Sequence, residues 1–473
     1  MARASVVEAL ASIDESLLTQ DGLAARVLVW GQPRDGAARA YVVSPAGEQY
    51  QVSVVRDVAG IASSAPAGAQ APSLAERADA LLEVGDAISG AAERLARLVA
   101  AETGKTIAQA REEVSAAAEL LGSMAARVVE DGSTAYVSSS LTMGQTWRAA
   151  QLGVWGQWSL VLASFTSPFF TAVAGAAASA LAGVPAVVKS PWQGAASALA
   201  AAYMFRGTAL EGYVSAVHSI GPPAGAESAP LVIAFGRRET AESVRRLTGA
   251  PVVANCSGRA VLVLCREPED YDTLASELVE SATWHAGQGC GSVRWVLALR
   301  RLADELVESV LDSASQLSVG NPLEGSSLGP LRERGLVDVA ARYAADAVAK
   351  GARQLGELRS SGNYMWPLVL DEVPKSADVL WRDVLAPMVV VSRFDDCSEA
   401  LEVARLMQQP TTYVVYGDLG DAASLASSRP STVVIAGREG SVRAARLPCY
   451  QVGEPAESMA RGLRAPSRSL LLF

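Results

Sequence analysis

Cys290 has the clearest capacity for chemistry, because it closes the run Gly287-Gln288-Gly289-Cys290. A cysteine thiolate is a strong nucleophile, and a thioester formed on it stays open to a second attack. Glycines beside it let the backbone approach a substrate and aim amide N–H groups at a developing oxyanion. The bland alternative is a buried, inert thiol, since cysteine is among the most buried residue types. His285, five residues upstream, is placed to lower the thiol pKa or to act as an ordinary loop histidine.

Other chemistries find little material. The five cysteines, Cys256, Cys265, Cys290, Cys397 and Cys449, are irregularly spaced, and there are two histidines. That set does not read as a disulfide framework, a zinc site or a histidine-rich metal centre, and it fits a reducing cytoplasm. A net charge of −10 argues against DNA or RNA as a partner.

The elements that must position these residues follow from length and period. A chain of 473 residues, half of them hydrophobic and 19% charged, is long enough for two or three domains with substantial cores. Residues 24–54 alternate around turn residues and read as short antiparallel strands. From Ser73, with Glu76 placed for a capping box, an apolar helical face runs to Ala101, and a second helix covers about 106–129. Residues 134–151 look like a protruding hairpin. Strand 159–164, helix 168–182, strand 185–189, helix 192–206 and strand 213–218 then give the spacing of a doubly wound parallel sheet. The uncharged stretch Trp158–Val188 is long enough to cross a bilayer. Its prolines, glycines and alanine-rich middle read instead as strand, helix and strand, all buried. A further α/β segment fills 259–435.

Several motifs, in order, resemble the aldehyde dehydrogenase superfamily between about residues 75 and 400. They are Ala101-Glu102-Thr103-Gly104-Lys105, Val187-Val188-Lys189, Gly287-Gln288-Gly289-Cys290, Gly320-Asn321-Pro322-Leu323 with Leu328-Gly329-Pro330, and Asp383-Val384-Leu385-Ala386-Pro387. The resemblance implies an α/β fold with a Rossmann-like cofactor domain (1–133 and 152–258), an α/β catalytic domain (259–435) and a β bridging element (134–151 and 436–473). It implies that Cys290 attacks an aldehyde carbon and that Lys189 meets the adenosine ribose of a nicotinamide dinucleotide. The exposed hairpin and the apolar end Ser467–Phe473 leave unpaired edges that another subunit would cover, so a homodimer or a tetramer built from dimers is expected.

The departures bear on function. The oxyanion asparagine expected before Pro168 is Thr166, which follows Phe165. The general-base glutamate expected after Pro251-Val252-Val253 is Asn255 or Cys256, neither a carboxylate. Coenzyme-A-acylating members are similar in carrying Asn there. The acid expected three residues after Lys189 is Trp192, and Asp383 shortens the acid near the nicotinamide ribose. The glycine-rich turn is Gly236-Arg237-Arg238, whose arginines suit a 2′-phosphate and tilt the cofactor, NAD or NADP, toward NADP. The sequence thus leaves three readings. One is NAD(P)-dependent oxidation of a small aldehyde, with coenzyme A as a candidate acceptor. Another is reduction of an acyl thioester, the same chemistry reversed. The third is a redox-inactive member acting as a binding or structural protein.

Overall fold

Strands buried along their whole length must be covered on both faces, which is the setting of a parallel sheet flanked by helices. Such strands dominate here. The structure is a computed structural model that describes residues 5–66, 72–131, 158–256, 258–289, 291–407, 410–428, 433–444 and 470–471. These fall into two compact units. The first lies within Met1–Thr103 and Ile107–Cys256, and the second within Gly104–Thr106 and Ser257–Cys449 with the last strand. The expected hairpin at 134–151 lies outside the described residues.

In the first unit, β1 (Ala24–Ala25), β4 (Ala38–Val43) and β5 (Gln49–Val54) form a small sheet, while β2 (Val27–Val29) and β3 (Gln32–Arg34) leave for the large one. The strands of 24–54 are therefore not all antiparallel, as β1 runs parallel to β5. One residue, Arg26, separates β1 from β2, so a single extended stretch serves two sheets. Trp30 and Gly31, at φ 46° and 80°, make the tight turn between β2 and β3.

The large sheet adds β6 (Ser159–Leu162), β7 (Ala186–Lys189), β8 (Val214–Val217), β9 (Leu231–Gly236) and β10 (Val252–Cys256), in the order β10-β9-β6-β7-β8-β2-β3. β6 to β10 run parallel. Every residue of helix Pro168–Leu181 is buried, and Gly175 lets it press on β6: a Cβ there would sit 2.3 Å from a Val161 methyl. Among the described residues, no helix is long and apolar enough to cross a membrane.

The capping box at Ser73 and Glu76 forms as expected. The helix it opens ends at Gly90, and a separate one runs Ala92–Thr103. The break falls at Ala91, at φ −107° and ψ 6°, and the continuous apolar face had hidden it.

The second unit holds β11 (Arg259–Leu264), β12 (Val293–Leu299), β13 (Arg353–Leu355), β14 (Ser360–Ser361), β15 (Tyr364–Met365), β16 (Leu368–Asp371), β17 (Met388–Phe394), β18 (Pro410–Tyr416), β19 (Val433–Ala436) and β20 (Leu470–Leu471). Its main sheet has the order β13-β16-β17-β12-β11-β18-β19-β20, parallel except for β13. Within this chain, β20 pairs with β19 of its own sheet, so Leu470–Leu471 serve as an internal edge strand.

Cys265, just past β11, is disulfide-bonded to Cys397 at the start of helix Cys397–Leu406, across a separation of 132 residues. This corrects the reading of the cysteines as unpaired. Irregular spacing hid a pair that the parallel sheet brings side by side, and the cysteine pattern no longer argues for a reducing compartment.

Candidate functional site

A doubly wound sheet binds ligands beyond the carboxyl ends of its strands, where the chain reverses its direction of winding. In the first unit the chain goes from β6 outward to β7 and β8, then returns to lay β9 and β10 on the other side of β6. The switch point is thus the crevice past β6 and β9. Phe165 and Thr166 follow β6, and Gly236 and Arg237 end β9 and begin the next helix. Gly236, at φ +127°, lies close to Ser164: a Cβ built on it would be 3.8 Å from the serine Cβ. Lys189 ends β7, Trp192 follows it, and Asn255 stands in β10 beside Phe235 of β9. The first-unit candidates therefore share one edge of one sheet. The side chain of Cys256 lies outside what is described.

Hydrogen bonds hold this edge. The Ser164 amide donates to the Thr171 hydroxyl (3.0 Å), and the Ser164 and Thr166 hydroxyls are 3.0 Å apart. If Ser164 donates in that pair, Thr166 keeps its proton for another acceptor. The Lys189 ammonium donates to the Ser190 carbonyl at 3.0 Å, and burial lowers its pKa. His218, which belongs to none of the sequence motifs, stands directly after β8. Its Nδ1 is 2.8 Å from the Ser190 hydroxyl, and the Trp192 ring lies over it at 5.2 Å. Burial, then the nearby Lys189 charge, pushes the imidazole pKa down to about 4. Its place at the carboxyl end of a parallel strand was the available signal.

Three helices start along this edge, and their N-terminal amides differ. Helix Pro168–Leu181 is capped by the buried Glu113 carboxylate, which accepts from Phe169 and Phe170 at 2.9 and 3.1 Å. Helix Ala195–Tyr203 is capped by buried Glu102, which accepts from Ala196 and Ser197 at 2.8 and 2.7 Å and also from the Tyr50 hydroxyl. Helix Arg238–Thr248, with Arg237 at its N-cap, has no side-chain cap. A helix N-terminus favours an anion, and two arginines, Arg237 and Arg238, stand at this one.

In the second unit, motifs dispersed over the sequence converge. A Cβ on Gly287 would lie 2.0 Å from the Ala386 carbonyl oxygen, one on Gly289 1.9 Å from the Trp284 ring, and one on Gly329 2.0 Å from the Gly104 carbonyl. The Lys105 ammonium sits over the Trp284 ring at 4.9 Å. Gln288 ties the loop on two sides, accepting from the Arg332 amide and donating to the His285 carbonyl, both at 2.9 Å. Just before it, His285 and Ala286 hold left-handed backbone, φ 51° and 54°, which is costly for residues with a Cβ. His285 is buried, its ring edge-on to Trp284. Cys290 itself lies outside the described residues, but the loop leading to it is fixed by close packing.

Asp383 is engaged within the same unit. It accepts from the buried Arg294 guanidinium at 2.9 Å, and Arg294 and Arg259 both stack on Trp295. Burial pushes Arg259 down to about 10, with Asp383 opposing that shift. The carboxylate thus balances two buried cations, a role its shortened side chain did not announce.

The model of the aldehyde dehydrogenase family matches residues 41–430. The chain belongs to that family. Among its relatives, an Arabidopsis thaliana protein named NADP-dependent glyceraldehyde-3-phosphate dehydrogenase is 29% identical over 248 residues, 51% of this chain and 50% of the relative. A Streptococcus equinus protein of the same name is 26% identical over 374 residues, 76% of each. The chain spans about half the length of the plant relatives it matches. The crystal structure of a Bacillus halodurans C-125 NADP-dependent glyceraldehyde-3-phosphate dehydrogenase complexed with NADP superposes with a TM-score of 0.70 at 21% identity, covering 85% of this chain and 88% of that one. A Brucella melitensis aldehyde dehydrogenase gives 0.75 at 20%, covering 89% of each. These solved structures share the fold.

Proposed function

We propose that this family member oxidises an aldehyde with NAD(P), NADP favoured, through a covalent intermediate on Cys290. The observation that carries the reading is the alignment of Thr166, Lys189, Gly236 and Arg237 along the carboxyl edge of the first sheet, astride its switch point. Lys189 fits a ribose, and the helix start with its two arginines, Arg237 and Arg238, fits a phosphate. NADP as the cofactor of the named relatives supports the same choice.

In this mechanism the Cys290 thiolate forms a C–S bond with the aldehyde carbon, and the carbonyl pair moves to oxygen. By resemblance to the family, Thr166 stands at the sequence position of the donor to that oxyanion, together with backbone amides. When bound, the nicotinamide supplies the hydride acceptor. The chain is left with a thioester on Cys290, and an incoming nucleophile must break that C–S bond to restore the thiolate. Asn255 cannot act as a base for water, so an external thiol such as coenzyme A is the proposed acceptor. We also propose a homodimer or tetramer, with domains at 1–133 plus 152–258 and at 259–435, and a bridging element at 134–151 and 436–473.

The test is reduced-nucleotide formation at 340 nm from a panel of aldehydes with NADP+ and NAD+. The reading expects turnover with a higher kcat/KM for NADP+. Failure across the panel, with neither nucleotide bound, would support the redox-inactive alternative, which Trp192 and the engaged Asp383 favour.

A further inference from the structure

Lys189 pairs with Val217 in the register of β7 and β8, so the residues that follow, Ser190 and His218, leave the sheet side by side. Backbone bonds fix both: Ser190 N–H donates to Val217 O at 2.9 Å, and Val55 N–H donates to His218 O at 2.8 Å. The imidazole is 2% exposed. Its Nδ1 is occupied by the Ser190 hydroxyl, and its Nε2 has no partner among the described residues. A buried polar atom without a partner costs free energy, and such atoms call for an explanation. The cover over the ring includes the Trp192 indole, itself 44% exposed and tilted 44° to the imidazole. Beside it, the Lys189 ammonium uses one of its three hydrogens on the Ser190 carbonyl.

We propose that His218 is a specificity-determining contact for the dinucleotide, taking the 2′-phosphate of the adenosine ribose together with Lys189 as Trp192 turns aside. The assignment rests on the nucleotide-binding reading above. The proposal requires a proton on Nε2, which two protonation states of the ring supply. With Ser190 donating to Nδ1, the neutral ring donates from Nε2, and with a second proton, the ring donates from both nitrogens. A phosphate also offers a counter-charge to Lys189, which a bare ribose hydroxyl does not. A neutral hydroxyl would satisfy Nε2 alone, so the pair discriminates in favour of the phosphorylated ribose.

The experiment is calorimetric titration of the unmodified chain, His218→Ala and His218→Gln with NADP+ and NAD+. It is joined by NMR of the two histidines of the unmodified chain titrated with adenosine 2′- and 5′-monophosphate. The His218→Ala Kd for NADP+ is expected to rise about tenfold or more, and that for NAD+ by less than about threefold. The His218 ring resonances are expected to shift with the 2′-phosphate and not with the 5′-phosphate. Equal losses for both nucleotides, no loss for either, or silent ring resonances would overturn the assignment while leaving nucleotide binding intact. An unmodified chain that binds neither nucleotide would overturn the activity reading and this assignment with it. The NMR arm needs no substitution, so it decides the matter even where a variant fails to fold.

Discussion

Gly287 lies directly against the backbone of Ala386: a Cβ on it would come 2.0 Å from the carbonyl oxygen and 2.2 Å from the carbonyl carbon. Backbone cannot step aside as a flexible side chain can, and Gly287 also sits at φ +74°. Gly287→Ala is expected to lose roughly 3 kcal/mol or more in urea denaturation, from overpacking plus left-handed strain. Gly325→Ala is the control, since φ is +89° but nothing lies within 4 Å of its Cβ. It should lose about 1 kcal/mol. Equal losses would mean that backbone strain, not the contact with Ala386, sets the loop.

The Glu102 carboxylate supports a helix start on the carboxyl edge of the first sheet. Glu102→Ala leaves two buried amides and the Tyr50 hydroxyl without their acceptor. A destabilisation of roughly 3 kcal/mol or more is expected by urea denaturation. Glu76→Ala, in an exposed capping box, should cost about 1 kcal/mol. A Glu102 variant no worse than the Glu76 variant would mean that water replaces the carboxylate.

These two glutamates show where sequence reading stops. Glu76 caps an amide three residues away, and its pattern was legible. Glu102 caps Ala196 and Ser197, more than ninety residues on, and only the folded unit reveals it. The same contrast runs through the chain. Strands β6 to β8 and the helices between them were readable because buried runs and turn residues are local signals. The Cys265–Cys397 bond, the Arg294–Asp383 pair and the meeting of Gly287 with Ala386 depend on neighbours far along the chain. His218 has no motif around it, and one histidine in a sequence carries no spacing. Its meaning came from the strand end on which it stands.

His218 also predicts a pH effect. Its folded pKa, about 4, lies below the ordinary 6.5, so the unfolded chain binds the proton more tightly. The stability contributed is present in full above pH 6.5 and is lost as pH falls toward 4, by roughly 3 kcal/mol. Denaturation of the unmodified chain and His218→Gln between pH 4.5 and 7.5 should give curves that converge at the acidic end. A constant difference across that range would contradict the buried neutral imidazole.

The Cys265–Cys397 bond should stabilise the second unit by about 2–4 kcal/mol, since it closes a long loop. Reduction should lower the denaturation midpoint of the unmodified chain and leave Cys397→Ser unchanged. Non-reducing peptide mapping that finds both cysteines free would remove the bond from the account.

Release of the acyl group is expected to depend on an added thiol. Without a carboxylate at Asn255 or Cys256, hydrolysis lacks a base worth typically about 10²–10⁴-fold in rate. A thiol acceptor should raise steady-state reduced-nucleotide formation, and Asn255→Glu or Cys256→Glu should restore turnover in water. Rapid thiol-free turnover by the unmodified chain would show that another group activates water.

The central claim is a covalent acyl group on Cys290, and its most direct test is peptide mass spectrometry of a single turnover. The chain is mixed with excess NADP+ and a reactive aldehyde, without any thiol acceptor, and quenched in acid. The account predicts a gain equal to the aldehyde mass less two hydrogens on the peptide holding Cys290, and only when the nucleotide is present. No such adduct, or one of equal yield on another cysteine, would contradict it.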